Sequence, residues 1–371
     1  MQKSLKILQI IVQSNLRGGG AVQLFRLSKE LVKRGHFVYA LFDDDPEYRE
    51  HFFKFEENGI DLRFIKMHRV KPDVKTYGTV RKNRALIKEK RIDIIHAHKG
   101  NAADLAWLAA LGLDVPIVTN RGAAFPLNYF QAFKYRSGKI KRIIAVAHMV
   151  KDVMVETGKI DPDKIDVVWG GVDTEQFRPG LQSTLRDEFQ VLEDKRIIGF
   201  VGNASPRKGL QYLIDAFGML REKYDDIVLV AAGVSAEELK DFTISEGLGQ
   251  RIIPIGFRKD VNNCMAAFDI YVFAGLVNEG LAGTLREAAA MGLPIITTDV
   301  AGNSELIQNH HSGLVVPPYD VQSLAEAIEY LLDNNDKAAE FGRAARDFVV
   351  EHMTDTKRAE KIEKIYYDIL A

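Results

Sequence analysis

The chain predicts an α/β protein made of two Rossmann-like halves, and three observations carry that prediction. Short apolar runs alternate with helical stretches from one end of the sequence to the other. At 371 residues the chain outruns one comfortable core, and halves of about 170 residues match the usual size of a domain. In each half a strand runs into a glycine-bearing turn and then a helix, as parallel strands do when crossover helices join them.

In the first half, residues 6–13 read as a strand, residues 21–34 as an amphipathic helix stopped by Gly35, and residues 36–42 as a second strand. Further apolar runs at 60–66, 92–96, 115–119 and 143–146 follow, with helices between them. The first strand leads into Arg17-Gly18-Gly19-Gly20. Three glycines let a ligand approach the backbone closely, and the N–H groups of the helix start favour an anion. A plain flexible turn fits the same residues. The spacing is not G-x-G-x-x-G, which argues against NAD. The fourth run ends IDIIHAHKG, and its histidines are expected on opposite faces of the strand, one in the core and His98 turned to a ligand. No further Cys or His stands at a spacing that suits zinc, so no metal site is expected.

The second half opens with a strand at 197–201, followed by GNASPRKGLQYLIDAF. Arg207 and Lys208 stand at a helix start, where cations oppose the helix dipole. A bound anion resolves that conflict; solvated surface charge is the other reading. Strands at 227–232, 252–257, 269–273, 294–298 and 313–316 follow, with helices from Ala236 and at 261–268, 324–334, 336–352 and 355–370. The last helix gathers Ala359, Ile362, Ile365, Tyr366 and Ile369 on one side.

Residues 278–307, NEGLAGTLREAAAMGLPIITTDVAGNSELI, organise this half. Eight helical steps separate Glu279 from Glu287, and they leave the two carboxylates roughly 80° apart around one helix. Glu279 therefore belongs on the glycine-punctuated loop, and Glu287 about one turn inside the helix. A helix start suits phosphate and a carboxylate beside it suits sugar hydroxyls. The spacing also fits two glutamates that only cap or solvate a surface helix.

The block EG-x-x-x-T-x-x-E-A-x-A-x-G-x-P-I-I-T-T-D-x-A-G resembles the nucleotide-sugar motif of the family 4, group 1 retaining glycosyltransferases. Other matches follow in that family's order: the histidines of IDIIHAHKG, Gly171-Val172-Asp173 with Phe177, Lys208-Gly209, and GLVVPPYD from Gly313. The resemblance implies a GT-B fold, with an acceptor domain at 1–175, a donor domain at 176–353, and a helix at 354–371 packing back on the first domain. It implies Glu279, Lys208 and His98 as catalytic residues. For the donor it implies Gly18, Gly19, Gly20, Asn203, Arg207, Lys208, Gly256, Phe257, Leu281, Ala282, Gly283, Thr284 and Glu287, with Glu287 on the ribose and Gly256-Phe257 beside the base.

Three departures from the pattern stand out. Asn203 replaces an arginine, Arg121 stands where relatives carry a histidine and becomes a candidate for a phosphate or anionic acceptor, and Trp169-Gly170 replaces Pro-Asn at the hinge. Gly170-Gly171 there would absorb the rotation of domain closure. The implied reaction moves a sugar from a nucleoside diphosphate to a hydroxyl, with no metal and no cofactor beyond the co-substrate. A nucleotide-sugar 2-epimerase of the same fold is the enzymatic alternative. A non-catalytic nucleotide-sugar-binding protein is the other, suggested by Asn203 and Arg121.

Composition narrows the partners. Hydrophobic residues at 46% and charged ones at 27% suit a soluble globular chain, and the N-terminal apolar run is too short for a signal peptide. The one cysteine, Cys264, forms no internal disulfide and fits a reducing cytoplasm, as a packed thiol. Residues 1–177 hold 30 Lys and Arg against 21 Asp and Glu, a balance of +9, and the remainder holds 20 against 30, or −10. The basic excess is densest at 63–91 and 134–142. Such a face suits an anionic membrane or a lipid-linked or otherwise anionic acceptor, and equally a solvated surface. Nucleic acid is not an expected partner.

Overall fold

Runs of Ile, Leu and Val a few residues long, separated by helices, become strands that all run the same way. The computed structural model describes residues 3–371 except Arg17, Arg69, Pro72 and Asn278. The first sheet comprises β1 (Lys6–Ile11), β2 (Phe37–Asp43), β3 (Asp61–Ile65), β4 (Ile94–His98), β5 (Ile117–Arg121), β6 (Ile140–Ala145) and β7 (Ile165–Val167). Its order is β3-β2-β1-β4-β5-β6-β7, with every pairing parallel. The second comprises β8 (Arg196–Val201), β9 (Ile227–Ala232), β10 (Ile252–Gly256), β11 (Ile270–Phe273), β12 (Ile295–Thr298) and β13 (Leu314–Val316). It too is parallel, in the order β10-β9-β8-β11-β12-β13.

Both orders reverse direction once, between β1 and β4 and between β8 and β11. Open parallel sheets bind ligands outside the carboxyl ends of the strands at such a reversal. Crossover helices there leave a crevice flanked by two loops. The fold therefore marks two places in advance: the loops after β1 and β4, and the loops after β8 and β11.

Contacts divide the chain into one unit of Met1–Gly171 with Asp355–Ala371 and a second of Val172–Thr354. The helix Asp355–Leu370 belongs to the first because its apolar side has a face to cover. Ala359, Ile362, Ile365 and Tyr366 bury themselves with Ile7, Ile11, Ile94 and Val118, alternate residues of β1, β4 and β5. A strand sends successive side chains to opposite faces, so Leu8, Ile10, Ile95 and Ala97 fill the core on the other side. Polar contacts anchor the same helix: Glu363 accepts from Arg34 at 2.6 Å and pairs with His36 at 2.8 Å.

The expected hinge is less free than its glycines suggest. Gly171 exchanges two hydrogen bonds with the Gln23 side chain, at 3.0 and 2.8 Å. A Cβ on Gly171 would lie 2.2 Å from Asp355 Oδ1 and 2.8 Å from its Cα. This glycine serves a close crossing of two chain segments, and that crossing holds it in place. Cys264 is buried, as the composition implied, and burial pushes its thiol up to about 11.

Candidate functional site

Two loops meet at the reversal point of the second sheet. After β8 the chain makes a short 3-10 turn, Pro206–Lys208, and Gly209 closes it with φ +70° before the helix Leu210–Met219. After β11 it runs through Ala274 to Ala282 and into the helix Gly283–Ala290. The Leu276 N–H donates to the Arg207 carbonyl at 2.9 Å, which stitches the loops together. Gly209 permits the approach: a Cβ there would lie 1.7 Å from the Ala274 carbonyl oxygen. Left-handed φ and a backbone collision act together, so Gly209→Ala should cost about 2–4 kcal/mol. The denaturant midpoint should fall with an unchanged slope.

The stitched loops bring Lys208 to Glu279. Lys208 Nζ donates to Glu279 Oε2 at 3.2 Å, with 24% and 15% of the side chains exposed. Seventy-one positions separate them in sequence. The ammonium also stands 5.3 Å from the centre of the Phe273 ring. Glu287 lies one turn inside its helix, as expected. It acts on Tyr271: burial pushes that phenol above its ordinary range, and the Glu287 charge adds to the shift. Tyr271 in turn donates to the Thr284 hydroxyl at 2.7 Å. Ala282 caps the helix start without a side-chain bond. Leu281 and Ala282 are 6% exposed.

Support comes from below and beside. The buried Arg286 donates to the Leu281 carbonyl at 2.9 Å. Thr298 donates to the Gly275 carbonyl at 2.5 Å, and Gly302 N–H to the Gly280 carbonyl at 3.3 Å. Along the same edge Gly233 N–H donates to the Gly256 carbonyl at 2.7 Å, and a Cβ on Gly233 would lie 2.4 Å from the Gly202 oxygen. Gly256 and the exposed Phe257 therefore belong to the row of strand ends that holds Lys208. Asn203 closes a local turn, accepting from Ser205 N–H at 3.3 Å. The concavities near Arg186–Lys195 and around Pro294 lie by the amino ends of β8, β11 and β12. That is the edge away from these loops.

At the reversal point of the first sheet, Gly18 caps the helix Gly19–Lys33 with no side-chain bond. Arg17 of the predicted turn lies outside the described residues, as does Asn278 beside Glu279. Lys99, which sequence reasoning passed over, reaches across: a Cβ on Gly20 would lie 2.9 Å from its Cε, and its Nζ donates to Gln13 at 2.6 Å. Its position directly after β4, at the reversal, was the available signal.

His98 requires a correction. His96 and His98 do not face opposite ways; their rings stack at 4.5 Å and both side chains are buried. Residues i and i+2 of a strand share a face, and the expectation of opposite faces misapplied that period. His98 is 2% exposed, and both ring nitrogens are bonded, to Gln9 at 2.5 Å and to Asn120 at 2.9 Å. Turned into the core beneath the last helix, it presents no nitrogen to a substrate.

Sequence profiles match this arrangement in two pieces: that of Glycosyl transferases group 1 over residues 182–348, and that of Glycosyltransferase Family 4 over residues 17–176. The chain belongs to the family 4, group 1 glycosyltransferases. Its fold is GT-B. A glycosyltransferase from Rickettsia africae superposes on it with a TM-score of 0.86 at 23% identity, over 100% of this chain and 99% of that one. Anabaena HepE in complex with UDP-glucose gives 0.82 at 20% identity, over 98% and 100%. The UDP-Gal:alpha-D-GlcNAc-diphosphoundecaprenol alpha-1,3-galactosyltransferase of Escherichia coli is 27% identical over 77% of this chain and 78% of its own. The N-acetyl-alpha-D-glucosaminyl L-malate synthase of Bacillus anthracis is 24% identical over 95% and 94%.

Within this glycosyltransferase, Arg121 ends β5 and donates to the Phe125 carbonyl at 2.6 Å, holding the following loop. Among the described residues no group of three or more His, Cys, Asp or Glu side chains could hold a metal ion. No described helix is long and apolar enough to cross a membrane.

Proposed function

We propose that the chain transfers a sugar from a nucleoside-diphosphate donor to a hydroxyl of a lipid-linked acceptor, with retention and without a metal. The observation that carries this reading is the Lys208–Glu279 pair at the reversal point of the second sheet. An ammonium and a carboxylate at 3.2 Å satisfy each other in the absence of substrate. A donor would exchange both partners: its diphosphate takes the ammonium, and its sugar hydroxyls take the carboxylate. Arg207 and the helix-start N–H groups at Gly283 and Thr284 would add to the charge met by the leaving diphosphate. Glu287 would accept from the ribose, and Gly256 with Phe257 would lie against the base. Gly18, Gly19 and Gly20, with Lys99 beside them, offer the first unit's own contact for donor or acceptor phosphate.

Retention then needs the acceptor hydroxyl on the face the diphosphate leaves, where a departing phosphate oxygen can take its proton. No protein nucleophile is required in that scheme, which suits a site where the nearest carboxylate is held by a lysine. UDP-sugars are the donors to try first, since the Escherichia coli relative uses UDP-Gal and HepE binds UDP-glucose. The lipid-linked acceptor follows that relative's name and the basic first unit.

A thermal-shift panel of UDP-, GDP- and ADP-sugars checks the donor. The right one at about 100 times its Kd should stabilise by roughly 2.7 kcal/mol, and Lys208→Ala should reduce the shift. No stabilisation by any of the three sinks the reading. Release of nucleoside diphosphate that needs no acceptor, with a 2-epimeric sugar recovered, would replace it by the epimerase.

A further inference from the structure

Between Asp114 and Asp152 the chain carries seven Lys and Arg and no Asp or Glu. The helix Tyr129–Arg136 lies in the middle of that span. Asn128 and Gln131 fix its start with a capping box, and Ala132 and Tyr135 point inward to the core. The opposite side is aromatic. Tyr129, Phe130 and Phe133 fall within about 100° of the helix circumference and are 69%, 86% and 58% exposed. Phe125, on the loop before, is 41% exposed.

Phe133 meets Trp107 edge-on at 6.1 Å and Tyr129 meets Phe130 at 6.0 Å, yet most of each ring stays in water, and a monomer gains nothing from wetting them. Their setting is cationic. The Arg136 guanidinium stands 5.1 Å from the centre of the Tyr129 ring and donates to the Gly158 carbonyl, a neutral acceptor. Lys139 also donates to a carbonyl, that of Leu113. Lys141, Arg142 and Lys164 lie close enough for the first two to lower the pKa of the third, after burial. Among the described residues, Asp104 pairs with Lys134 and Asp166 with Arg142.

We infer that this helix is an interfacial wedge that docks the protein on an anionic lipid bilayer. The rings enter the boundary between headgroups and acyl chains, and Arg136, Lys139 and Lys141 hold lipid phosphates. Amphipathic aromatic and cationic side chains suit the two layers of that boundary, and each basic residue gains from the negative surface potential. Charge complementarity together with the rings selects the occupant: seven cations and no carboxylate along the span suit a uniformly anionic surface, and the exposed rings suit the apolar layer just beneath it. The inference rests on the lipid-linked acceptor proposed above, and it adds the element and the mode of docking.

Co-sedimentation with vesicles of pure phosphatidylcholine, or of phosphatidylcholine mixed with phosphatidylglycerol, tests it. The wild-type protein should bind the anionic vesicles, less at high salt, and the neutral ones weakly. Phe130→Ser with Phe133→Ser should lower anionic binding by about a hundredfold, tenfold for each ring. Lys141→Glu with Arg142→Glu should lower it as well and flatten the salt dependence. The donor-induced thermal shift should survive in both double variants, which separates this inference from the donor assignment. Three results would overturn it: wild type that ignores anionic vesicles, a Phe130/Phe133 variant that binds as well as wild type, or a lipid-independent dimer that this variant dissolves.

Discussion

Lys208→Ala should lower kcat by about 10²–10³-fold while the protein stays folded, which is the usual loss when one preorganised charge is removed from a developing anion. The lysine is held for that task by its surroundings. It ends a 3-10 turn whose closing glycine admits no side chain, and Leu276 N–H pins the turn from the facing loop. The ammonium therefore stays near one place on the edge of the sheet. Lys208→Arg should recover only part of the rate, because a planar fork cannot occupy the space of a compact ammonium beside Phe273. Glu279→Gln should damage the reaction by a similar factor. It keeps the shape and removes the charge that opposes Lys208 at 3.2 Å. If one bound donor engages both residues, the Lys208→Ala, Glu279→Gln double variant should lose much less than the product of the single losses. Initial rates at saturating donor, with a melting temperature for each variant, decide the matter. A Lys208→Ala enzyme within about threefold of wild type would reduce the pair to a structural ion pair.

The strands and helices were legible because their signals are local. Residues 227–232 announce a buried parallel strand by being apolar throughout, and β9 occupies those positions. Ala359, Ile362, Ile365 and Tyr366 announce one side of a helix, and that side is buried. Lys208 and Glu279 were legible as a site through a family motif; their 3.2 Å contact was not, since it depends on a glycine collision avoided at Ala274. Lys99 was missed because a lysine after a strand looks like solvent-facing charge. The aromatic face of Tyr129–Arg136 was missed for the opposite reason: apolar residues at helical spacing read as core, and nothing local tells which side of a helix the fold will cover. The placing of His98 failed by parity alone. Gln9, His96, His98 and Asn120 share one face of β1, β4 and β5, and the register sets Gln9 beside His96 and His98 beside Asn120. Their fifth partner, Tyr366, stands 270 positions from His96. No reading of a single segment joins them.

That polar cluster should make the protein sensitive to mild acid. Asn120 donates to His98 Nδ1 at 2.9 Å, so the His98 proton sits on Nε2 and goes to Gln9 Oε1 at 2.5 Å. Gln9 donates to the Tyr366 hydroxyl at 3.4 Å, Tyr366 donates to His96 Nδ1 at 2.5 Å, and His96 Nε2 donates to Asn120 Oδ1 at 2.9 Å. The bonds close a ring in which both imidazoles are neutral. A proton added to His98 Nδ1 would face the Asn120 amide hydrogens, and one added to His96 would face a hydroxyl already donating to it. Burial, opposed in part by the Asn120 bond and aided by Arg358, holds His96 down at about 3. Burial, with His96, Arg358 and Lys99, holds His98 well below 6.5. Unfolded, both titrate near 6.5. Above that pH neither state binds the protons and stability is unaffected; below it only the unfolded chain takes them up. Stability should then fall with a slope that steepens toward about 1.4 kcal/mol per pH unit for each histidine, or about 3 kcal/mol between pH 6.5 and pH 5 for the two. His96→Gln with His98→Gln should flatten that decline while lowering stability at pH 7.5, where the ring is broken. Urea midpoints from pH 8 to pH 5 measure both. If the double variant declines as steeply as wild type, the acid sensitivity lies in other groups and the neutral ring is not its source.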